Sequence, residues 1–351
     1  MKKLVSMFLI LAMVFALAAC GAESNNTVAP EATKATEPSE PAETKATKLE
    51  IKLTTSDAAS TTWIQQCQVA CDNIYDRTDG MVEIQIYPNG EMLVGSAGME
   101  AVLSDAPVMW FTDISYFADY VPELATIYSP YLYDSFDMLE EFLQTDVAQK
   151  IIDQAKEKNL HPVGDSFFIV GYRSVLSDYP ITTLEDMKKL TTRIPNQTAY
   201  SKLFDAFGAN YVNMNNSESF NALETGMING VENTPCNLAN NGMDEAIKTP
   251  YYSLTKHLLC TPGLFCGEGF WNSLSEEYQQ IITEEFANAI ATSNDMVDAM
   301  TEEYYDILES RGVTIVEIED LTPFIEAVQD YCHTLAGYDE IYAAVQELKS
   351  N

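Results

Sequence analysis

The stretch Ser275–Arg311, SEEYQQIITEEFANAIATSNDMVDAMTEEYYDILESR, sets Tyr278, Ile282, Phe286, Ala289, Val297, Met300, Tyr304 and Ile307 at intervals of three, four and, once, eight residues, with Glu and Asp between them. That is the period of a helix with one apolar face. Ser273-Leu274-Ser275-Glu276 supplies a capping box in front of it and Gly312 a stop behind it. At 1.5 Å per residue such a helix is about 55 Å long. One globular lobe cannot cover that length. A helix crossing two lobes can.

Outward from this helix, the rest of the chain alternates strands with helices. Leu49, Ile51 and Leu53 alternate with Glu50 and Lys52, the period of a half-exposed strand. Thr61 to Thr78 reads as a helix closed by Asp79-Gly80, and Val82, Ile84 and Ile86 form a second strand ending at the turn signal Tyr87-Pro88-Asn89-Gly90. Met99 to Leu103 reads as helix and Pro107 to Phe111 as a short apolar strand. The pattern then repeats. Met138 to Lys158 predicts one long amphipathic helix and Phe167 to Tyr172 an apolar strand. Thr183 opens a short helix with Asp186 at the capping-box position, followed by a strand at Thr191 to Ile194. Helices at Thr198 to Phe207 and Ser217 to Thr225 end before Gly208 and Gly226, and a short strand follows at Gly230 to Glu232. This alternation implies a mainly parallel sheet covered on both faces. Two such units, with a break near Phe168 to Arg173, imply two lobes.

The amino terminus has the order of a secretory signal: Lys2 and Lys3, an apolar run from Leu4 to Leu17, then Ala18-Ala19-Cys20. Leu17-Ala18-Ala19-Cys20 resembles the bacterial lipobox, which implies cleavage before Cys20 and acylation of its thiol. The alternative is ordinary signal cleavage beside an incidental Cys. Gly21 to Thr47 is rich in Ala, Thr, Glu and Pro and lacks bulky apolar residues, so it reads as a tether with a reach on the order of 30 Å. The 351 residues hold 19 Lys+Arg against 53 Asp+Glu, and losing Lys2 and Lys3 with the signal would leave 17 against 53. That field repels phosphate backbones and anionic lipid heads, which argues against nucleic-acid binding. An anion site in such a chain must be built from locally placed Arg. Beyond Cys20, six Cys remain, at 67, 71, 236, 260, 266 and 332. Their spacings and the scattered His161, His257 and His333 do not resemble a metal site, and buried free thiols are expected rather than a disulfide framework.

Several segments, in this order, resemble the substrate-binding proteins of tripartite ATP-independent periplasmic (TRAP) transporters, the DctP-type family. They are Trp63, Thr78-Asp79-Gly80 and Ile86-Tyr87-Pro88-Asn89-Gly90; Thr182-Thr183-Leu184-Glu185-Asp186 with Thr192-Arg193-Ile194-Pro195; and Gly208-Ala209, Met214, Ser217-Glu218, Leu223, Gly226 and Gly230-Val231-Glu232-Asn233-Thr234-Pro235. The likeness runs from Lys48 to about Gly337. It implies an α/β, two-lobed periplasmic-binding-protein-like fold with a long helix spanning both lobes. Approximate boundaries would be a signal at 1–19, the lipidated Cys20 and tether at 20–47, lobe I at 48–169 plus 259–298, and lobe II at 170–258 plus 299–340. The resemblance further implies that Arg193, with Arg173 and Asn233 beside it, binds a ligand carboxylate. Trp110, Asp113 and Asn216 complete the expected ligand-binding set. A guanidinium presents a planar fork that matches a carboxylate with two parallel charge-assisted hydrogen bonds.

This sequence departs from the family pattern in several places. Asp105 stands where Gly is usual, Trp110 lies in a normally small-residue stretch, and Asn216 stands where an apolar or aromatic residue is common. Asn229 replaces the usual Asp, and Lys189-Leu190 lacks the Gly of the motif. The expected function is an extracytoplasmic, membrane-anchored lipoprotein, monomeric, that captures a small organic acid and delivers it to TRAP membrane subunits, with no cofactor and no metal. A receptor for an ABC importer or sensor kinase is the alternative within binding proteins. A lipoprotein hydrolase is the alternative among enzymes, although the chain has no Gly-x-Ser-x-Gly, His-Glu-x-x-His or Walker motif.

Overall fold

A computed structural model describes residues 48–349, so the expected signal, Cys20 and the tether lie outside the described residues. Among the described residues, eleven strands fall into two sheets. They are β1 Leu49–Thr54, β2 Val82–Tyr87, β3 Val108–Asp113, β4 His161–Pro162, β5 Tyr172–Ser177, β6 Thr191–Ile194, β7 Asn210–Asn213, β8 Gly230–Asn233, β9 Tyr251–Leu259, β10 Pro262–Cys266 and β11 Thr314–Val316. The first sheet runs β2-β1-β3-β10-β4 and the second β11-β9-β5-β8-β6-β7. Each sheet is the centre of one lobe, and helices pack on both.

The sheets are mixed rather than mainly parallel. β1 pairs in parallel with β2 and β3, and β6 with β7 and β8, but β10 runs antiparallel to β3 and β4, and β5 antiparallel to β8 and β9. The physical reason is the chain path. It leaves the first sheet after β4, enters the second at β5, and returns directly from β9 to β10 through Cys260 and Thr261. A strand that enters from the neighbouring lobe has no crossover helix to turn it parallel to its neighbours.

The long helix is made in two pieces, Glu276–Asn294 and Val297–Ser310, with Asp295 and Met296 between them. Its cap is Ser275, whose hydroxyl accepts from Tyr278 N at 3.2 Å, whereas the Ser273 hydroxyl turns back to Phe270 O. Gly312, at φ +93°, follows its end. The first piece buries Ile282, Phe286 and Ala289 and packs on the helix Thr62–Arg77, which buries Trp63, Cys67, Ala70, Cys71 and Ile74 in the first lobe. The second packs on the helix Pro235–Asn240 of the second lobe. At the break, the buried Asn294 accepts from Ile169 N at 2.8 Å and donates to Phe167 O at 3.3 Å.

Two other sequence expectations change. Met138 to Lys158 is split into Phe136–Leu143 and Asp146–Glu157, because the Thr145 hydroxyl accepts from Ala148 N and so caps a new helix. Phe167 to Val170 joins no sheet; Phe168 N and Val170 N donate to Pro262 O and Cys260 O, and the strand begins only at Tyr172. The six cysteines from Cys67 to Cys332 are all buried free thiols. No helix among the described residues is long and apolar enough to cross a membrane.

Candidate functional site

In the second sheet β6 and β8 run parallel and β5 opposes them, so the carboxyl ends of β6 and β8 share an edge with the start of β5. Arg193 lies across from Val231, and Ser174, next to Arg173, lies across from Asn233. The carboxyl end of β3, at Asp113, pairs with Pro262, where the chain has just crossed from the other lobe. Thus Arg173, Arg193 and Asn233 come together from one lobe and Asp113 comes from the other.

The two arginines differ in their partners. Both are only 6% exposed. Arg173 is held by Glu232 in a two-point pair, Nε to Oε2 and Nη2 to Oε1, each at 2.7 Å, with Nη2 also donating to Glu232 O. Tyr200 covers its guanidinium at 5.3 Å. Burial opposes the charge on Arg173, but Glu232, Tyr200 and Tyr128 outweigh it and hold its pKa well above the usual value. Burial likewise penalises charge on Glu232, yet Arg173 and His257 outweigh it and keep the carboxyl low. His257 Nε2 stands 3.4 Å from Glu232, and burial pulls the pKa of this imidazole down.

Arg193 donates from Nε to Met214 O at 2.8 Å, and among the described residues it joins no salt bridge. Burial pulls its pKa down, Glu232 pushes it up, and the neighbouring Arg173 lowers it further. A buried guanidinium with open terminal N–H groups costs free energy until an anion meets it. Asn233 accepts at Oδ1 from Thr234 N at 2.9 Å and Asn237 Nδ2 at 3.3 Å, which turns its amide nitrogen into the free end of the group.

Across the cleft, Asp113 Oδ1 accepts from Ser115 N at 2.8 Å and from the Ser115 hydroxyl. That hydroxyl also bonds Gln197 of the opposite lobe, and Tyr128 and Tyr200 join their hydroxyls across the lobes at 2.9 Å. Cys260 Sγ sits between Arg173 Nη1 at 3.9 Å and Asp113 Oδ2 at 4.0 Å. Tyr116 couples electrostatically to Arg193 and Asp113. The Trp110 ring is 2% exposed and packs on Gly98, Phe117 and Tyr116, so it backs Tyr116 rather than touching either arginine. Asn216 begins a short turn two residues beyond Met214, and its buried Oδ1 has no partner.

A model of bacterial extracellular solute-binding protein family 7, DctP, matches residues 53–337. This chain is a DctP-family, TRAP substrate-binding protein. A solute-binding protein of Chromohalobacter salexigens is 27% identical over 278 residues, covering 79% of this chain and 80% of that one. Among solved structures, a TRAP solute-binding protein from Fusobacterium nucleatum with bound sn-glycerol-3-phosphate has a TM-score of 0.80 and 28% identity, covering 86% of this chain and 99% of that one. One from Ochrobactrum anthropi with bound L-fuconate has a TM-score of 0.78 and 26% identity, covering 85% and 99%. DctP-family proteins are extracytoplasmic receptors that bind small molecules and work with TRAP membrane subunits.

Seen as a DctP-family site, the departures from the family pattern have structural partners. Asp105 adopts φ +58° and accepts from Asn159 Nδ2 and Phe270 N, tying together three segments of the first lobe. Asn229 accepts from Thr191 N at 2.8 Å and donates to Lys189 O, fixing the start of β6. Sequence reasoning missed Glu232, Ser115, Tyr116, Tyr128, Gln197 and Tyr200. Only Glu232 left a signal, as an acid in the middle of a short apolar strand. The others are brought in by the apposition of lobes.

Proposed function

We propose that this protein captures a small organic acid by its carboxylate, closes its lobes over it, and delivers it to a TRAP-type membrane transporter. Arg193 is the carboxylate anchor, Asn233 donates beside it, and Arg173 with Glu232 forms the rigid wall that orients both. Asp113 closes the site from the other lobe, Trp110 supports it through Tyr116, and Asn216 borders it beyond Met214. The reading rests on one observation above all: Arg193 is buried without a carboxylate, while the adjacent Arg173 has one. A planar carboxylate fills the open fork of that guanidinium.

The receptor acts as a monomer, held at the outer face of the membrane by acyl chains on Cys20 and free to reach its transporter on the segment from 21 to 47. Its lobes follow the boundaries near 169–170 and 258–259, with the hinge at Phe168 to Tyr172 and Leu258 to Pro262. Gly171, at φ +105°, supplies a backbone state there that other residues rarely adopt.

The test is a thermal-shift screen of organic acids followed by titration calorimetry of the best binder. Arg193→Ala should abolish binding while leaving the fold intact. Arg193→Lys should weaken it by tenfold or more, because a point charge does not reproduce the fork. Binding of the Lys variant within about twofold of wild type would sink the two-point anchor.

A further inference from the structure

We infer that the site selects a monoanion, one carboxylate on Arg193 with hydrogen-bond donors at its far end, and discriminates against solutes that carry a second negative charge. This rests on the carboxylate reading above and specifies the solute class. It covers dicarboxylates and carboxylates that also carry a phosphate.

The inference follows from which charges are already matched. Glu232 compensates the charge of Arg173 through two 2.7 Å contacts at Nε and Nη2, so Arg173 brings no net charge to a ligand, while its Nη1 meets only Cys260 Sγ at 3.9 Å. Arg193 is then the one uncompensated cation that the described residues bring to the cleft. The far side is acidic. Asp113 at the end of β3 joins no salt bridge among the described residues. Its Oδ1 accepts twice from Ser115, Oδ2 has the weak donor Cys260 Sγ at 4.0 Å, and the Tyr128 hydroxyl lies close enough to act on the carboxylate as a donor. Asp57, in the loop after β1, uses Oδ2 to accept from Trp63 Nε1 at 2.7 Å and likewise has no cationic partner in a salt bridge. β1 and β3 pair in parallel with Thr54 opposite Trp110, so Asp57 and Asp113 both stand at the carboxyl end of the same sheet.

A monocarboxylate balances Arg193. A second anionic group at the other end meets Asp113 and Asp57, where the nearby cation, Arg173, is already paired with Glu232, and in a desolvated cleft that repulsion is weakly screened. A hydroxyl or ammonium group there instead donates to the open lone pairs of Asp113 Oδ2, a charge-assisted bond. Family membership does not decide this point, since the two solved relatives named above hold a phosphate monoester and a sugar acid.

Calorimetry on the full chain with matched pairs tests it: galacturonate against galactarate, and gluconate against glucarate. A monoanion is expected to bind at least tenfold tighter than its dianionic partner. Asp113→Asn, which keeps an acceptor for Ser115, should shrink that ratio at least fivefold. Where that variant does not fold, Asp57→Asn and the wild-type ratio decide. A dianion that binds wild type as tightly as its partner, or a ratio unmoved in folded Asp113→Asn, overturns the inference while leaving the carboxylate anchor standing. If no acid binds and Arg193→Ala is indistinguishable from wild type, the carboxylate reading falls and the inference falls with it.

Discussion

Arg173 and Arg193 sit in the same sheet at equal burial, and their neighbours give them opposite consequences for stability. Arg173→Met strands Glu232 as a buried charge, so the free energy of unfolding should drop by about 3–5 kcal/mol in a urea titration. Arg193→Met removes a cation that has one neutral hydrogen bond, so the same titration should show little loss or a gain. Equal losses for the two would mean that Arg193 has a partner in the free protein. Asp57 gives a pH signature. Its folded pKa is raised from 3.8 to about 6 by burial, against the opposing hydrogen bond from Trp63 and the charge of Arg173. The folded state therefore binds more protons than the unfolded state between those values, and stability falls as pH rises through them. Asp57→Asn keeps an acceptor for Trp63 and removes that cost. The variant should melt above wild type at pH 8, with the gap closing as pH falls toward 4.

At the scale of elements, the break at Asp295 and Met296 is where two helices and the inter-lobe strand segment meet. Asn294 joins them through Ile169 N and Phe167 O, two backbone groups that no sheet satisfies. Removing the side chain leaves both buried and unpaired, so Asn294→Ala should destabilise by about 1–3 kcal/mol in chemical denaturation. Asn294→Asp keeps the acceptor and should recover part of that. The Thr183 and Asp186 capping box formed where the sequence indicated it, with Asp186 accepting from Thr182 N and Thr183 N. The cap at Ser273 did not, because Ser275 was equally suited and lay closer to the first buried turn.

Across the whole molecule, the lobes meet through apolar packing, with Phe136 stacked on Tyr172 at 5.2 Å, and through polar contacts of Ser115 with Gln197, Tyr128 with Tyr200, and Tyr131 with Thr255 O at 3.1 Å. Tyr128 and Tyr200 also line a cavity of ≈ 360 Å³ with Ala118, Pro122, Leu203 and Leu335. Such contacts permit an opening motion, and a solute touching Arg193 and Asp113 at once would shift the population toward closure by its differential contacts. Small-angle scattering should show a smaller radius of gyration with saturating ligand than without. A radius constant across a confirmed binding isotherm would leave a rigid pocket instead.

Local chemistry determined a good deal on its own. Periodicity located β1, β2 and β6, the helix Thr198–Phe207 and the helical span ending at Gly312, since each pattern is set by which residues must face a core. The resemblance carried by the segments around Arg193 and Asn233 pointed to both residues. Periodicity could not reveal strand direction, because a mixed sheet and a parallel one bury the same residues. It also placed β5 too early and missed β4, β7, β9, β10 and β11, of which β9 and β10 are buried on both faces almost throughout and show no alternation. The assignment of charge belonged to tertiary structure alone. Glu232 lies 59 positions from Arg173 and 39 from Arg193, and only the order β5-β8-β6 gives it to the first and leaves the second open. A pairing across strands depends on register and burial, and no local stretch of chain encodes which cation is left without a partner.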